Sequence, residues 1–218
     1  MKSIIINNAE IELDLNKIRR KIKINKNDPI DKDLIKLFND IKKIANPKGI
    51  YIPIVIDDIG ENYIKTKNII LNSRILRENL KNTKKFFPYI ATIGSELEEW
   101  YQNIEVVSEQ YISNIILQEI CYIMKDMLIK NIKNNYDINS ASSMSPGTLK
   151  DWKLSERDKL LQLFKGDEKR IGVKTLNDNL ISPIISVYGI VFEDLNDYNN
   201  CRLCPKENCP NRSADFEG

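Results

Sequence analysis

The chain has 218 residues, 42% of them hydrophobic and 29% charged, with 33 basic against 31 acidic residues and a formal net charge of +2. These are the proportions of an ordinary folded globular protein, and the interspersed signs lack the basic stripe of a nucleic-acid binder. There is no histidine, which excludes His-containing metal sites, Ser-His and Cys-His catalysis, and histidine ligation of a haem or corrinoid by this chain. No stretch approaches the ~20 apolar residues of a membrane span, and the run at Ile4–Ile6 is too short for a signal-peptide core. The expectation is a cytoplasmic protein with reduced thiols and neither a membrane nor a nucleic-acid partner.

In chain order, Ile4–Ile6 and residues 11–15 read as short β elements, or as a strand leading to a helix near 17–24. Residues 31–45, with Leu34, Leu37, Phe38, Ile41 and Ile44, follow the 3.6-residue period of an amphipathic helix that stops at Asn46-Pro47-Lys48-Gly49. Residues 50–56 form a β-branched run that predicts a buried strand, with further strands at Tyr63-Ile64 and Ile69-Ile70-Leu71 and a short helix over 74–81. Residues 86–93 predict another buried strand despite Pro88. Gly94 then introduces a helix capped by Ser95, whose acidic set Glu96, Glu98 and Glu99 suits a helix first turn.

The longest predicted helix runs from Val107 to about Ile132, with Tyr111, Ile115, Ile116, Ile120, Ile123, Met127 and Leu128 on one broad face. Residues 134–146, rich in Asn and Ser, read as a loop, and Pro146-Gly147 as a turn. Ser155 to Asp158 caps a further helix ending at Lys165-Gly166. Residues 171–173 and 184–192 read as strands. Helices and strands alternate irregularly, so the fold class expected is α+β.

Three of the four cysteines lie near the C-terminus, where Cys201, Cys204 and Cys209 form a C-x2-C-x4-C array closed by Pro210, Asn211 and Arg212. Clustered thiols in a chain without secretory features favour a metal or iron–sulfur site over disulfides, because soft thiolates suit zinc and iron. A closed zinc site wants four ligands, whereas an iron–sulfur cluster tolerates one non-cysteine iron, so iron–sulfur, of the 4Fe-4S type, is preferred and zinc is the alternative. The fourth ligand is Cys121, a carboxylate or an exogenous group. Cys121, inside the long helix, reads first as a small buried hydrophobe and only second as a ligand. Arg212 reads either as a hydrogen-bond donor to cluster sulfide or as a simply exposed side chain.

An ordered set of segments carries a resemblance: Ile90-Ala91-Thr92-Ile93-Gly94-Ser95-Glu96-Leu97-Glu98, the long helix with Glu119, Ser145-Pro146-Gly147 with Asp151-Trp152-Lys153-Leu154, Ile171-Gly172-Val173, and residues 183–189. Together, over roughly residues 89–212, they resemble the activation domain of vitamin B12-dependent methionine synthase, in the short free-standing form that often ends in a cysteine cluster. The resemblance implies a curved, mixed or antiparallel sheet packed with helices. It divides the chain into an N-terminal α+β portion (1–85), an activation-domain-like core (86–195) and a cysteine-rich tail (196–218).

The same resemblance implies a domain that presents S-adenosylmethionine to a cobalamin held by a partner, where inactive Co(II) is rescued by one-electron reduction coupled to methyl transfer. The partner would be a corrinoid protein, or a methionine synthase lacking its own activation domain, with a ferredoxin or flavodoxin as electron donor. The implied ligand residues are Ser143, Ser145, Pro146, Gly147 and Thr148, with Glu119 on the long helix. Where the family loop carries an Arg and a Tyr, this sequence has Ser143 and Thr148, which removes a charge-assisted contact and a packing surface. The competing expectation is a non-catalytic corrinoid-protein adaptor whose tail is a zinc-stabilised knot.

Overall fold

The computed structural model of the chain describes residues 2–7, 9–176, 180–195, 198–206, 209 and 212–217. Pro210 and Asn211 of the cysteine array lie outside the described residues. Among those described, the two-residue alternation of the strands sorts side chains onto two faces of a central antiparallel sheet. In β7 (Lys85–Thr92), Phe86 and Ile90 enter one core while Phe87, Tyr89 and Ala91 enter another. The sheet order is β1 (Ile4–Ile6), β2 (Lys48–Tyr51), β7, β11 (Ser186–Glu193) and β8 (Ala141–Met144), and β3 (Ile54–Val55) pairs with the far end of β7. A three-stranded sheet of β4 (Asp58–Ile59), β5 (Tyr63–Thr66) and β6 (Ile69–Asn72) and a two-stranded ribbon of β9 (Lys174–Thr175) and β10 (Ile181–Ser182) complete the strands.

The described residues form six α-helices: α1 (Leu15–Ile22), α2 (Asp31–Ile44), α3 (Arg74–Leu80), α4 (Ser95–Gln102), α5 (Val107–Tyr136) and α6 (Arg157–Gln162). The 30 residues of α5 give a rod of about 45 Å. Ile112, Ile116, Ile120, Met124, Leu128 and Ile132 recur every fourth residue and are all buried. The first three pack with α1, α2 and α4, and the last three cover Tyr51, Phe87, Tyr89 and Val191 of the sheet. No helix among the described residues is long and apolar enough to cross a membrane.

The α+β expectation holds, with antiparallel sheets. Several local expectations shift. The buried stripe of α5 is rotated from the expected face, leaving Tyr111 exposed, because apolar residues surround much of a helix held between a sheet and other helices. Residues 11–15 form no strand, and residues 171–173 end a 3-10 turn at Gly172 before β9 begins at Lys174. Neither Ser95 nor Ser155 caps a helix: Gly94 occupies the N-cap of α4, and Ser155 sits in the 3-10 turn Leu154–Glu156 that leads into α6. Glu98 is buried and accepts from Ser182 Oγ at 2.5 Å and the Ile184 amide at 2.6 Å, so it fastens the turn before β11 as well as standing in an acidic first turn.

The largest consequence for the site is in the expected loop at 134–146, which contains the edge strand β8. Polar side chains are tolerated there because an edge strand has one open side.

Candidate functional site

β8 is shorter than the strand it pairs with. Its register on β11 runs from Ala141 opposite Glu193 to Met144 opposite Ile190 and stops there. β11 continues through Ser186–Gly189 with β7 on its other side, so the sheet has a notch on the β8 side. Gly189 stands at its corner. A Cβ there would lie 2.2 Å from Met144 O and 2.7 Å from Ser145 Oγ, so only glycine lets the departing chain cross β11 this closely. Beyond it, Ser145-Pro146-Gly147-Thr148 forms a tight turn. The Thr148 amide donates to Ser145 O at 3.3 Å, its hydroxyl donates to the same oxygen at 2.8 Å, and Gly147 has φ +85°. Pro at the second place and a positive-φ Gly at the third are what a type II turn requires. The Gly147 amide is held by Trp152 O at 2.7 Å.

The notch opens into a cavity of about 580 Å³. Tyr89 and Ser186 to Tyr188 of the sheet form its floor, Tyr122, Lys125 and Ile129 of α5 form one side, and Ser142, Ser143, Ser145, Pro146 and Thr148 form another. The remaining wall is the cysteine segment, with Cys201, Cys204, Cys209, Lys206 and Arg212. The two sets of residues singled out in the sequence thus face one space. Gly147 belongs to the turn without lining the cavity.

Polar contacts hold the cysteine wall in place. Ser142 Oγ lies 2.6 Å from Asp194 Oδ2 and 2.8 Å from Tyr198 O, and the Tyr198 amide donates to both Asp194 oxygens at 2.9 and 3.1 Å. The Tyr198 ring packs on Phe192 at 5.9 Å between centroids. Asn199 accepts from the Cys201 amide at 2.9 Å and caps the 3-10 turn Asn200–Leu203. Arg212 then crosses the segment: Nη1 donates to Cys201 O and Ala214 O, both at 2.9 Å, and Nη2 donates to Cys204 O at 2.8 Å and Lys206 O at 2.7 Å. Its guanidinium organises the backbone that carries the thiols.

Burial pushes the Cys201 thiol up, but the Ser213 hydroxyl and amide, the Ala214 amide and the Arg212 charge outweigh it and hold the thiol below its ordinary value. Nearby Tyr198 is pushed up, by burial first and then by the charge of Cys201. Tyr89 on the floor is raised by burial, with Ser145 and Ser143 opposing that shift. The described cysteines are all free thiols.

Two residues considered from sequence stand elsewhere. Glu119 is 3% exposed and does not line the cavity. Its Oε1 accepts from Lys17 and its Oε2 from Lys21 at 2.7 Å. Burial pushes this carboxyl up, and the two amines more than offset that, leaving it below the ordinary carboxylate range. Cys121 is 1% exposed in the helical core, away from the other thiols, with Sγ 3.1 Å from Ile185 O. Burial pushes its thiol up to about 12, as expected of a structural cysteine.

The open-edged antiparallel sheet, the long helix across it and a ligand-sized notch beside a Pro-Gly turn define the α+β fold of the chain. The same fold is found in the crystal structure of the MetH reactivation domain bound to AdoHcy, with a TM-score of 0.60 over 91% of this chain and 81% of that one, at 12% sequence identity. No family model and no curated protein matches the sequence. Among the site residues that the sequence does not single out is Gly189. It closes the sheet segment 183–189 named from the sequence, and a lone glycine inside a strand is the signal for close backbone approach.

Proposed function

We propose that this chain reactivates a corrinoid-dependent methyltransferase: it docks on the partner's cobalamin domain and uses the notch cavity to present an S-adenosylmethionine-type ligand. In that reaction Co(II) takes up one electron, and the resulting Co(I) accepts the methyl group of S-adenosylmethionine, leaving S-adenosylhomocysteine. The observation that carries this reading is the convergence of the 141–148 segment and the cysteine segment on one cavity, within a fold shared with a reactivation domain that binds AdoHcy. The volume, about 580 Å³, falls inside the roughly 300–1,000 Å³ of small-molecule sites. The aromatic and hydroxyl lining suits a nucleoside.

The cysteine segment is proposed as a metal-binding tail. Three thiols, one of them held toward thiolate, suit iron or zinc in kind. In position they line one wall without converging: no group of three or more His, Cys, Asp or Glu side chains among the described residues is gathered to hold a metal. A bound iron–sulfur cluster would supply low-potential electron transfer beside the corrinoid, and zinc would supply only a structural knot.

The test is the Co(II) absorbance of a corrinoid partner mixed with this protein, S-adenosylmethionine and a low-potential reductant. Loss of Co(II) that depends on both the protein and S-adenosylmethionine supports reactivation, and an unchanged rate overturns it. Iron, sulfide and zinc content after anaerobic purification separates the tail readings. Iron with sulfide and a bleachable band near ~400 nm indicates a cluster, and zinc alone indicates a knot.

A further inference from the structure

The charges lining the cavity point to how it holds a ligand. Its described lining contains three cationic residues, Lys125, Lys206 and Arg212, and no Asp or Glu. Arg212 is committed to four backbone carbonyls, and Lys206 stands on the exposed cysteine segment. Lys125 differs from both. It is half-buried in the middle of α5, a helix fixed by the core on two sides, so its position is set by the fold and not by the tail. Its amine makes no ion pair or hydrogen bond with the described residues, and its contact is the Tyr122 ring, 5.9 Å from the centroid.

Asp126, the next residue, feels the Lys125 charge, yet the two are not paired. Lys17 and Lys21, which also lie on this side of α5, are occupied by Glu119. A half-buried amine that makes no ion pair and faces a cavity whose described lining has no carboxylate would be stabilised there by an anionic group of a ligand.

We infer that Lys125 is the anion anchor of the cavity and takes the carboxylate of an amino-acid-bearing nucleoside, with Tyr122 beside it and the nucleoside lying toward the Ser142 to Thr148 wall. This rests on the proposed S-adenosylmethionine-type ligand and supplies the cation that the 141–148 segment lacks. It also gives α5, and not the turn, the role of fixing the ligand's amino-acid end.

The experiment is calorimetric titration of the wild type, Lys125→Gln and Lys125→Arg with S-adenosylhomocysteine and with 5′-methylthioadenosine, which keeps the nucleoside and lacks the amino-acid carboxylate. Loss of one charge-assisted contact should weaken S-adenosylhomocysteine binding by about tenfold or more in Lys125→Gln. Methylthioadenosine affinity should stay the same, and Lys125→Arg should restore most of the loss. Equal binding of S-adenosylhomocysteine by wild type and Lys125→Gln, or equal loss of both ligands, overturns the anchor while leaving the nucleoside site standing. If the wild type binds neither ligand, the ligand reading itself falls, and the anchor with it.

Discussion

The two walls of the cavity are built by different physics. The sheet and α5 wall is an extension of the core, where Tyr89, Ile129 and Val187 are backed by Phe87, Leu128, Ile132 and Val191. The cysteine wall has no buried residue in its 3-10 turn and is held by Asp194, Asn199 and the carbonyl bonds of Arg212. Burial of apolar area fixes the first as strongly as the rest of the fold. The second can rearrange without unfolding the protein, because local stability follows local burial. A core-built wall thus faces one held by polar contacts, which carries the three thiols.

Breaking the core that supports the turn and the notch should produce the largest effects. Trp152 is 1% exposed and packs in the core beneath the Pro-Gly turn, so Trp152→Ala should cost about 3–5 kcal/mol in denaturant unfolding. Its indole nitrogen has no hydrogen-bond partner among the described residues, so Trp152→Phe should cost far less. Gly189→Ala forces a methyl against Met144 O and should cost about 2–3 kcal/mol. It should also displace Ser145 and weaken S-adenosylhomocysteine binding, which titration would show.

Glu119 tests whether the carboxylate on α5 is structural. Glu119→Ala should cost about 1–2 kcal/mol, because the half-exposed Lys17 can return to water. The folded-state value of this carboxyl is depressed. Its contribution is therefore complete above the ordinary carboxylate value and is lost as pH falls through the lower folded one. Acid unfolding of Glu119→Gln should lack that loss, and an identical pH profile would contradict the pairing.

The movable wall should respond in the opposite way. Arg212→Ala should change global stability by less than about 0.5 kcal/mol, yet raise the pH at which Cys201 is alkylated. In the wild type the Cys201 rate should rise at a pH below the ~8.5 of an ordinary thiol. A global stability loss of several kcal/mol in Arg212→Ala would erase the distinction between the walls.

The same division decided what was legible in the sequence. Apolar periodicity locates α2 and α5, and a continuous apolar run locates β7, each to within a few residues. β8 was read as loop, since Ser142 and Ser143 carry no apolar alternation and the strand exists only because β11 offers it an edge. Serine caps were expected at Ser95 and Ser155, but backbone geometry and 3-10 turns took those places. The cysteines and the Pro-Gly turn stood out by composition. Their meeting in one cavity was not legible, because it depends on Asp194, Ser142 and Tyr198 bringing two distant segments together. Lys125 and Gly189 were hidden for the same reason: a lysine on a helix and a glycine in a strand acquire a role only from what the fold sets opposite them.

The central claim is that the turn segment and the cysteine segment are two walls of one ligand site. The most direct measurement is mass-spectrometric alkylation of metal-free protein, following Cys201, Cys204 and Cys209 separately with and without saturating S-adenosylhomocysteine. A shared site requires the ligand to slow alkylation of these thiols, Cys201 above all, while buried Cys121 stays unreactive in both samples. Unchanged rates at Cys201, Cys204 and Cys209 under proven ligand saturation would contradict it.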